Sequence, residues 1–118
     1  MNKTTVTRLA AVFGFAAVAL GAFGAHALRN ILSKNGMAHT WETAVLYHAL
    51  HATGLLVMSQ WQPIPKGVVR CFTVGILFFS GSLYLLALTG LKMFGVITPF
   101  GGVAFLLGWM LLGLRRTE

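Results

Sequence analysis

Residues Glu42–Trp61 read ETAVLYHALHATGLLVMSQW, a run apolar enough for a bilayer that nonetheless carries His48 and His51. Whether this run crosses lipid decides the fold. If it does, two imidazoles three residues apart lie near mid-membrane, where polar side chains face other protein rather than acyl chains. The question is then what they hold: a metal, a haem, a proton, or neighbouring helices.

The rest of the chain argues for lipid. Of 118 residues, 57% are hydrophobic and 9% charged, with a mean hydropathy of +0.79. A soluble domain carries about 25% charged residues. Asp is absent, and Glu42 and Glu118 are the only carboxylate side chains. Such a chain cannot cover a water-facing surface with charge. The net charge of +7 is not a nucleic-acid footprint, because the basic residues form no patch and sit in the gaps between apolar runs. Cys71 stands alone, so no internal disulfide forms, and no Cys/His zinc spacing occurs.

Four runs approach the roughly 20 apolar residues of a spanning helix: Leu9–Leu28, Thr43–Trp61, Val68–Thr89 and Gly95–Leu114. Backbone groups must be satisfied within each run, which predicts helices. The expected fold is one all-α domain over residues 1–118, a bundle of four transmembrane helices. Pro63 and Pro65 separate the second and third runs, and a tight hairpin around Lys92 separates the third and fourth. In the longer connection Arg29–Glu42, the spacing of Leu28, Ile31 and Leu32 predicts a short interfacial helix, stopped at Asn35-Gly36. Thr40 is the expected N-cap of the second span, and Trp41 an interfacial belt residue. Pro99 falls in the first turn of the fourth, where its missing N–H matters little.

With four spans, Lys3, Arg8, Lys66, Arg70, Arg115 and Arg116 share one side, six against the three of Arg29, Lys34 and Lys92. The positive-inside rule then places both termini in the cytoplasm. A competing reading takes the N-terminus as a secretory signal cleaved after Ala27 in "AHA". Its apolar run exceeds the roughly 7–15 residues usual there, and cleavage would discard the small-residue stripe of the first span. That stripe is Ala10, Gly14, Ala17, Gly21 and Gly24, spaced four and three along one helix face. Gly75, Ser82 and Thr89 repeat it more weakly in the third span, and Gly101 and Gly108 in the fourth. In lipid, helices associate by such close backbone approach and by polar contacts.

Placed by depth at ~1.5 Å per residue, His51 lies at the middle of the second span and His48 about one turn outward. Ser80, Ser82 and Tyr84 occupy similar depths in the third, His26 closes the first on the outer side, and Thr98 opens the fourth there. The outer half of the bundle thus collects the hydrogen-bonding groups. The expected network joins His48, His51, Tyr84 and one of Ser80 or Ser82. Its first reading is structural: uncharged imidazoles exchanging interhelical bonds of ~1 kcal/mol each. A site for a lipid, quinone or small solute is the alternative, and haem or metal binding through His26, His48 and His51 a third. Carboxylates for a metal are missing, so no cofactor is expected. Ser80-Gly81-Ser82 beside a His suggests a hydrolase only faintly, since no acid orients the His.

Four segments taken together, LGAFGAHAL (Leu20–Leu28), TAVLYHALHATGLL (Thr43–Leu56), FSGSLYLLALTG (Phe79–Gly90) and ITPFGGVAFLLGW (Ile97–Trp109), resemble domain-of-unknown-function family 423, and are similar also to the eukaryotic transmembrane protein 256 group. The resemblance covers nearly the whole chain. It implies a small four-helix protein of the bacterial inner membrane and no particular activity. The expected function is a non-enzymatic accessory, assembly or structural component. Its expected partners are membrane lipids and a membrane protein or copies of itself.

Overall fold

A computed structural model describes residues 1–116, and every regular element within them is helical. Helix α1, Lys3–Ala25, starts six residues before the predicted span because Asn2 caps it, its Oδ1 accepting the Thr5 N–H at 2.8 Å. It stops at Ala25 rather than Leu28, where the chain turns and the Leu28 N–H donates back to the Phe23 carbonyl at 2.8 Å. The short helix α2, Arg29–Lys34, follows as expected, and Gly36 takes the left-handed conformation (φ +66°) that reverses the chain.

Helix α3 spans Ala38–Ser59. Thr40 is not its N-cap, because the helix already begins at Ala38 and the Thr40 hydroxyl sits in the first turn, against Met37 Sδ at 3.5 Å. Helix α4, Lys66–Gly75, runs through a π turn, Ile76–Ser80, into α5, Gly81–Thr89, forming one rod. Gly90 (φ +70°) ends that rod. The connection predicted as a tight hairpin is a 3-10 turn, Lys92–Val96, so the last helix, α6, begins at Thr98 with Pro99 in its first turn and ends at Leu114.

Three rods are long and apolar enough to cross a membrane: Lys3–Ala25, Lys66–Thr89 and Lys92–Leu114. At ~1.5 Å per residue each exceeds the ~30 Å hydrocarbon core. Helix α3 has a similar length, 22 residues, but three imidazoles and Glu42 lower its mean hydropathy. It is nonetheless the centre of the molecule: α1 lies along one side of it, the α4–α5 rod along another, and α6 packs on α4 and the π turn.

Two apolar clusters fill the interior. One gathers Val6, Leu55, Met58, Val69, Phe72 and Phe105, and the other Leu32, Trp41, Ala44, Tyr84 and Ala87 at the α2 end. The α2 turn is pinned there by Asn35, whose Nδ2 donates to the Ala87 and Leu88 carbonyls at 3.0 and 3.2 Å. Those carbonyls close α5 and have no partner further along the helix.

The small residues divide into those that pack and those that do not. A side chain on Gly101 would strike the backbone of Phe78 and Phe79, and one on Gly75 the Phe105 ring. One on Gly108 would stand 2.7 Å from the Phe72 ring. Ala10 and Ala17 are buried, and Gly21 makes an ordinary contact with Val45. Gly14, by contrast, is not a packing residue, because a Cβ there meets nothing within 4 Å. The stripe holds α3 along one edge only, since it is wider than the contact. In the α4–α5 rod the weaker stripe stops at Ser82, for Thr89 is exposed and bonds only locally, donating to Leu85 O and accepting from the Leu91 N–H.

Trp41 corrects another expectation. It is 2% exposed rather than a belt residue at the lipid–water boundary. Its indole N–H donates to the Leu20 carbonyl of α1 at 2.9 Å, over Gly24. Alanine at Gly24 puts its methyl into the indole ring. G24A is therefore expected to destabilise by about 1–3 kcal/mol, the usual cost of overpacking, with a red shift of tryptophan emission as the indole leaves its site.

Candidate functional site: a buried histidine layer

Between the two apolar clusters lies a layer of polar side chains. His48, His51, Ser80, Ser82 and Tyr84 are all buried, His51 at 1% exposure and Ser80 at 0%. Helix α3 places both imidazoles inward because its outer face is taken by Leu46, Tyr47, Leu50, Leu56 and Val57.

His51 is fully committed. The Trp109 indole N–H of α6 donates to its Nε2 at 3.0 Å, so that nitrogen is an acceptor. The proton therefore sits on Nδ1, which donates to the Tyr47 carbonyl at 2.7 Å. This is an uncharged imidazole with one defined tautomer. Aromatic rings enclose it. Phe105 stacks on it at 3.7 Å between centroids, and Phe72 meets it edge-on at 4.7 Å.

His48 is only half committed. Its Nδ1 lies 2.8 Å from the Tyr84 hydroxyl of α5, and its buried Nε2 has no hydrogen-bond partner among the described residues. Counting donors settles the tautomer. If Tyr84 donates to Nδ1, one group is left without a well-formed bond, the Nε2–H, which faces the Phe13 backbone of α1, and the Phe13 ring meets the imidazole edge-on at 6.0 Å. If Nδ1–H donates to Tyr84 instead, both the phenol proton and the Nε2 lone pair are orphaned. The first arrangement leaves fewer buried unpaired groups and is the cheaper.

The two serines point to opposite sides of their rod, as the spacing predicts, and both sides are occupied. Ser80 Oγ donates to the Ala44 carbonyl of α3 at 2.9 Å. Ser82 Oγ lies 2.6 Å from Thr98 Oγ1 of α6 and donates to the Phe79 carbonyl at 3.0 Å. Neither hydroxyl reaches a histidine, so the hydrolase arrangement does not assemble. His26 is not part of the layer. It lies exposed beyond the end of α1, because that helix stops at Ala25. A haem or metal held jointly by His26, His48 and His51 has no geometric basis here, and no cluster of three potential metal ligands occurs among the described residues.

Sequence reasoning missed the aromatic half of this layer. Phe105 and Trp109 are four residues apart on the face of α6 that also carries Gly101 and Gly108. That spacing, glycines alternating with aromatic rings on one face, was the available signal. The same residues border an apolar cavity of about 430 Å³ that opens between α3 and α6 and is walled by Leu50, Val103 and Leu106 as well. Both His51 nitrogens are consumed, so this cavity presents rings and alkyl groups to whatever lies in it.

The relatives of this chain are named as membrane proteins. The family described as "Protein of unknown function (DUF423)" matches residues 20–102, which include both buried histidines, Ser80, Ser82, Tyr84 and Thr98. A UPF0382 membrane protein of Staphylococcus saprophyticus is 45% identical over 108 residues, covering 88% of this chain and 89% of the relative. The UPF0382 membrane protein YwdK of Bacillus subtilis is 40% identical, covering 88% and 89%. The UPF0382 inner membrane protein YgdD of Escherichia coli is 39% identical, covering 100% and 95%. No solved structure matches.

Proposed function

The chain belongs to the family of proteins of unknown function DUF423, and from that premise we propose that it is a non-enzymatic membrane component that crosses the cytoplasmic membrane four times with both termini inside. It acts as an accessory or assembly partner of a membrane complex, or as an oligomer of itself. The observation that carries this reading is the state of the buried polar layer. Apart from His48 Nε2, its side-chain donors and acceptors are used within the protein, His51 Nδ1 on its own helix and the others joining helices. None converges on an enclosed cavity where a substrate could react.

The place of α3 supports four crossings. A helix of 22 residues packed along two apolar rods, α1 and the α4–α5 rod, shares their depth, and Leu46, Leu50, Leu56 and Val57 on its outward side suit a lipid-facing surface. Reporter fusions test the topology. Fusions at residue 1, at residue 64 and at residue 116 are expected to report the cytoplasm, and fusions at Gly36 and Lys92 the opposite side. Termini on opposite sides would mean three crossings and sink this arrangement.

The accessory role is tested by cross-linking in intact membranes, followed by purification of the tagged chain in mild detergent. The expected product is a stoichiometric complex with another membrane protein or with a second copy. Recovery of the uncross-linked monomer alone counts against the role.

A further inference from the structure

The α2 end of the molecule carries a feature that the histidine layer does not use. A groove of about 630 Å³ runs along α1 and α3, floored by Ala10, Gly14, Ala17, Gly21, Ala49 and Ala52. A second cavity of about 740 Å³ continues it, sharing Gly21, Val45 and Ala49, and ends among Arg29, Ser33 and Glu42. From Ala10 to Gly24 the path is about 21 Å at ~1.5 Å per residue, more than the ~15 Å of one leaflet. The space at its middle is open, since a Cβ on Gly14 meets no atom within 4 Å. The wall at its polar end is rigid, because Trp41 is tied to Leu20 O.

The charges at that end are the informative part. Glu42 is the only carboxylate side chain among residues 1–116. It shares a cavity with Arg29, yet the two form no ion pair, and neither has a hydrogen-bonded side-chain partner among the described residues. An exposed cation and an exposed anion that line one cavity without pairing complement a zwitterion whose own charges are separated. The apolar groove beneath adds an acyl chain to that description.

We propose that the α1–α3 groove is a binding site for a zwitterionic phospholipid bearing a primary amine, with the phosphodiester on Arg29 and Ser33, the ammonium on Glu42, and one acyl chain along Gly21 and Gly14. The chemistry of each headgroup sets the preference. Guanidinium pairs a phosphodiester through two N–H donors, and the Ser33 hydroxyl supplies a third. A primary ammonium offers N–H donors to a carboxylate. Phosphatidylcholine has none, and phosphatidylglycerol has no cation for Glu42. The site requires only that the Ala25 end of α1 lie at a membrane–water boundary. It therefore does not depend on the accessory role or on the side of the membrane that end faces.

The test uses the full chain in bilayer discs of equimolar phosphatidylethanolamine, phosphatidylcholine and phosphatidylglycerol with identical acyl chains. Lipids retained on gentle extraction are counted by native mass spectrometry. Phosphatidylethanolamine is expected to be enriched over phosphatidylcholine by roughly threefold to tenfold, the worth of one charge-assisted hydrogen bond at a wet site. Glu42→Gln should bring that ratio to the bulk value, and Arg29→Gln should lower retention of all three lipids. Gly14→Leu, which fills the groove, should lower total retention and leave the headgroup ratio unchanged. Independently of any variant, replacing phosphatidylethanolamine by its mono- and dimethylated forms should reduce retention stepwise as N–H donors are lost. Bulk lipid ratios around the wild-type chain overturn the proposal. So does a preference that survives Glu42→Gln or full methylation.

Discussion

Alanine at Gly101 will cost the bundle about 3 kcal/mol or more, at or beyond the upper end of overpacking, while alanine at Gly14 will leave stability within about 0.5 kcal/mol. Both are glycines on spanning helices, and both belong to small-residue stripes. The difference lies in what a single methyl meets. At Gly101 it meets the backbone of Phe78 and Phe79, which cannot rotate away as a side chain can. The α6 helix must retreat from the π turn, and it takes Phe105 away from His51 as it goes. In lipid this loss is severe, because helix association there rests on close packing rather than on a hydrophobic drive. At Gly14 the methyl enters open space. Equilibrium unfolding of the two variants in mixed micelles, followed by tryptophan emission, checks the contrast. Equal costs at the two positions would contradict the packing described for α6.

The contrast also shows what a sequence can and cannot disclose. Period-seven glycines mark a helix face, and all of Gly75, Gly101 and Gly108 do lie at close approaches. The same pattern in α1 extends one column too far, because periodicity gives the direction of a face and not the width of the contact. Gly14 is the residue left over. Trp41 illustrates a second limit. Its position at a helix start suggests the aromatic belt, but the deciding fact is Gly24 on another helix, which opens room for the indole. His26 illustrates a third. A span ending at Leu28 places it on the helix, but α1 stops at Ala25 and the turn swings it out.

The histidine pair was legible as buried, because an imidazole at mid-membrane has only the protein interior to face. Its partners were legible in part. Tyr84 and the two serines lie at matching depth, whereas Trp109 lies on a helix whose register against α3 depends on the Gly101 contact. Average hydropathy misleads for the same reason. It leaves α3 out of the apolar rods partly by counting His48 and His51, which are buried, while Leu46, Leu50, Leu56 and Val57 face outward.

That distinction makes the second large effect run against hydropathy. Leucine at His51 makes α3 more apolar and should favour its insertion, yet it will destabilise the folded bundle by about 2 kcal/mol. The Trp109 indole loses its acceptor, a loss of about 0.6–1.7 kcal/mol for an interhelical bond in lipid, and the ring that stacks on Phe105 and meets Phe72 disappears with it. Leucine at His48 will cost less than half as much. It breaks one bond, to Tyr84, but also removes the unpaired Nε2–H, and an unpaired buried donor is itself worth about 1–3 kcal/mol. Adding Tyr84→Phe to His48→Leu should recover most of the remainder, because the phenol proton is then no longer orphaned. Two histidines one helical turn apart thus differ in what they hold: His51 locks α3 to α6, and His48 stands against α1 with a donor to spare. Steric trapping in bilayer discs measures the three variants directly. Should His48→Leu prove as damaging as His51→Leu, the assignment of partners in the layer would be wrong.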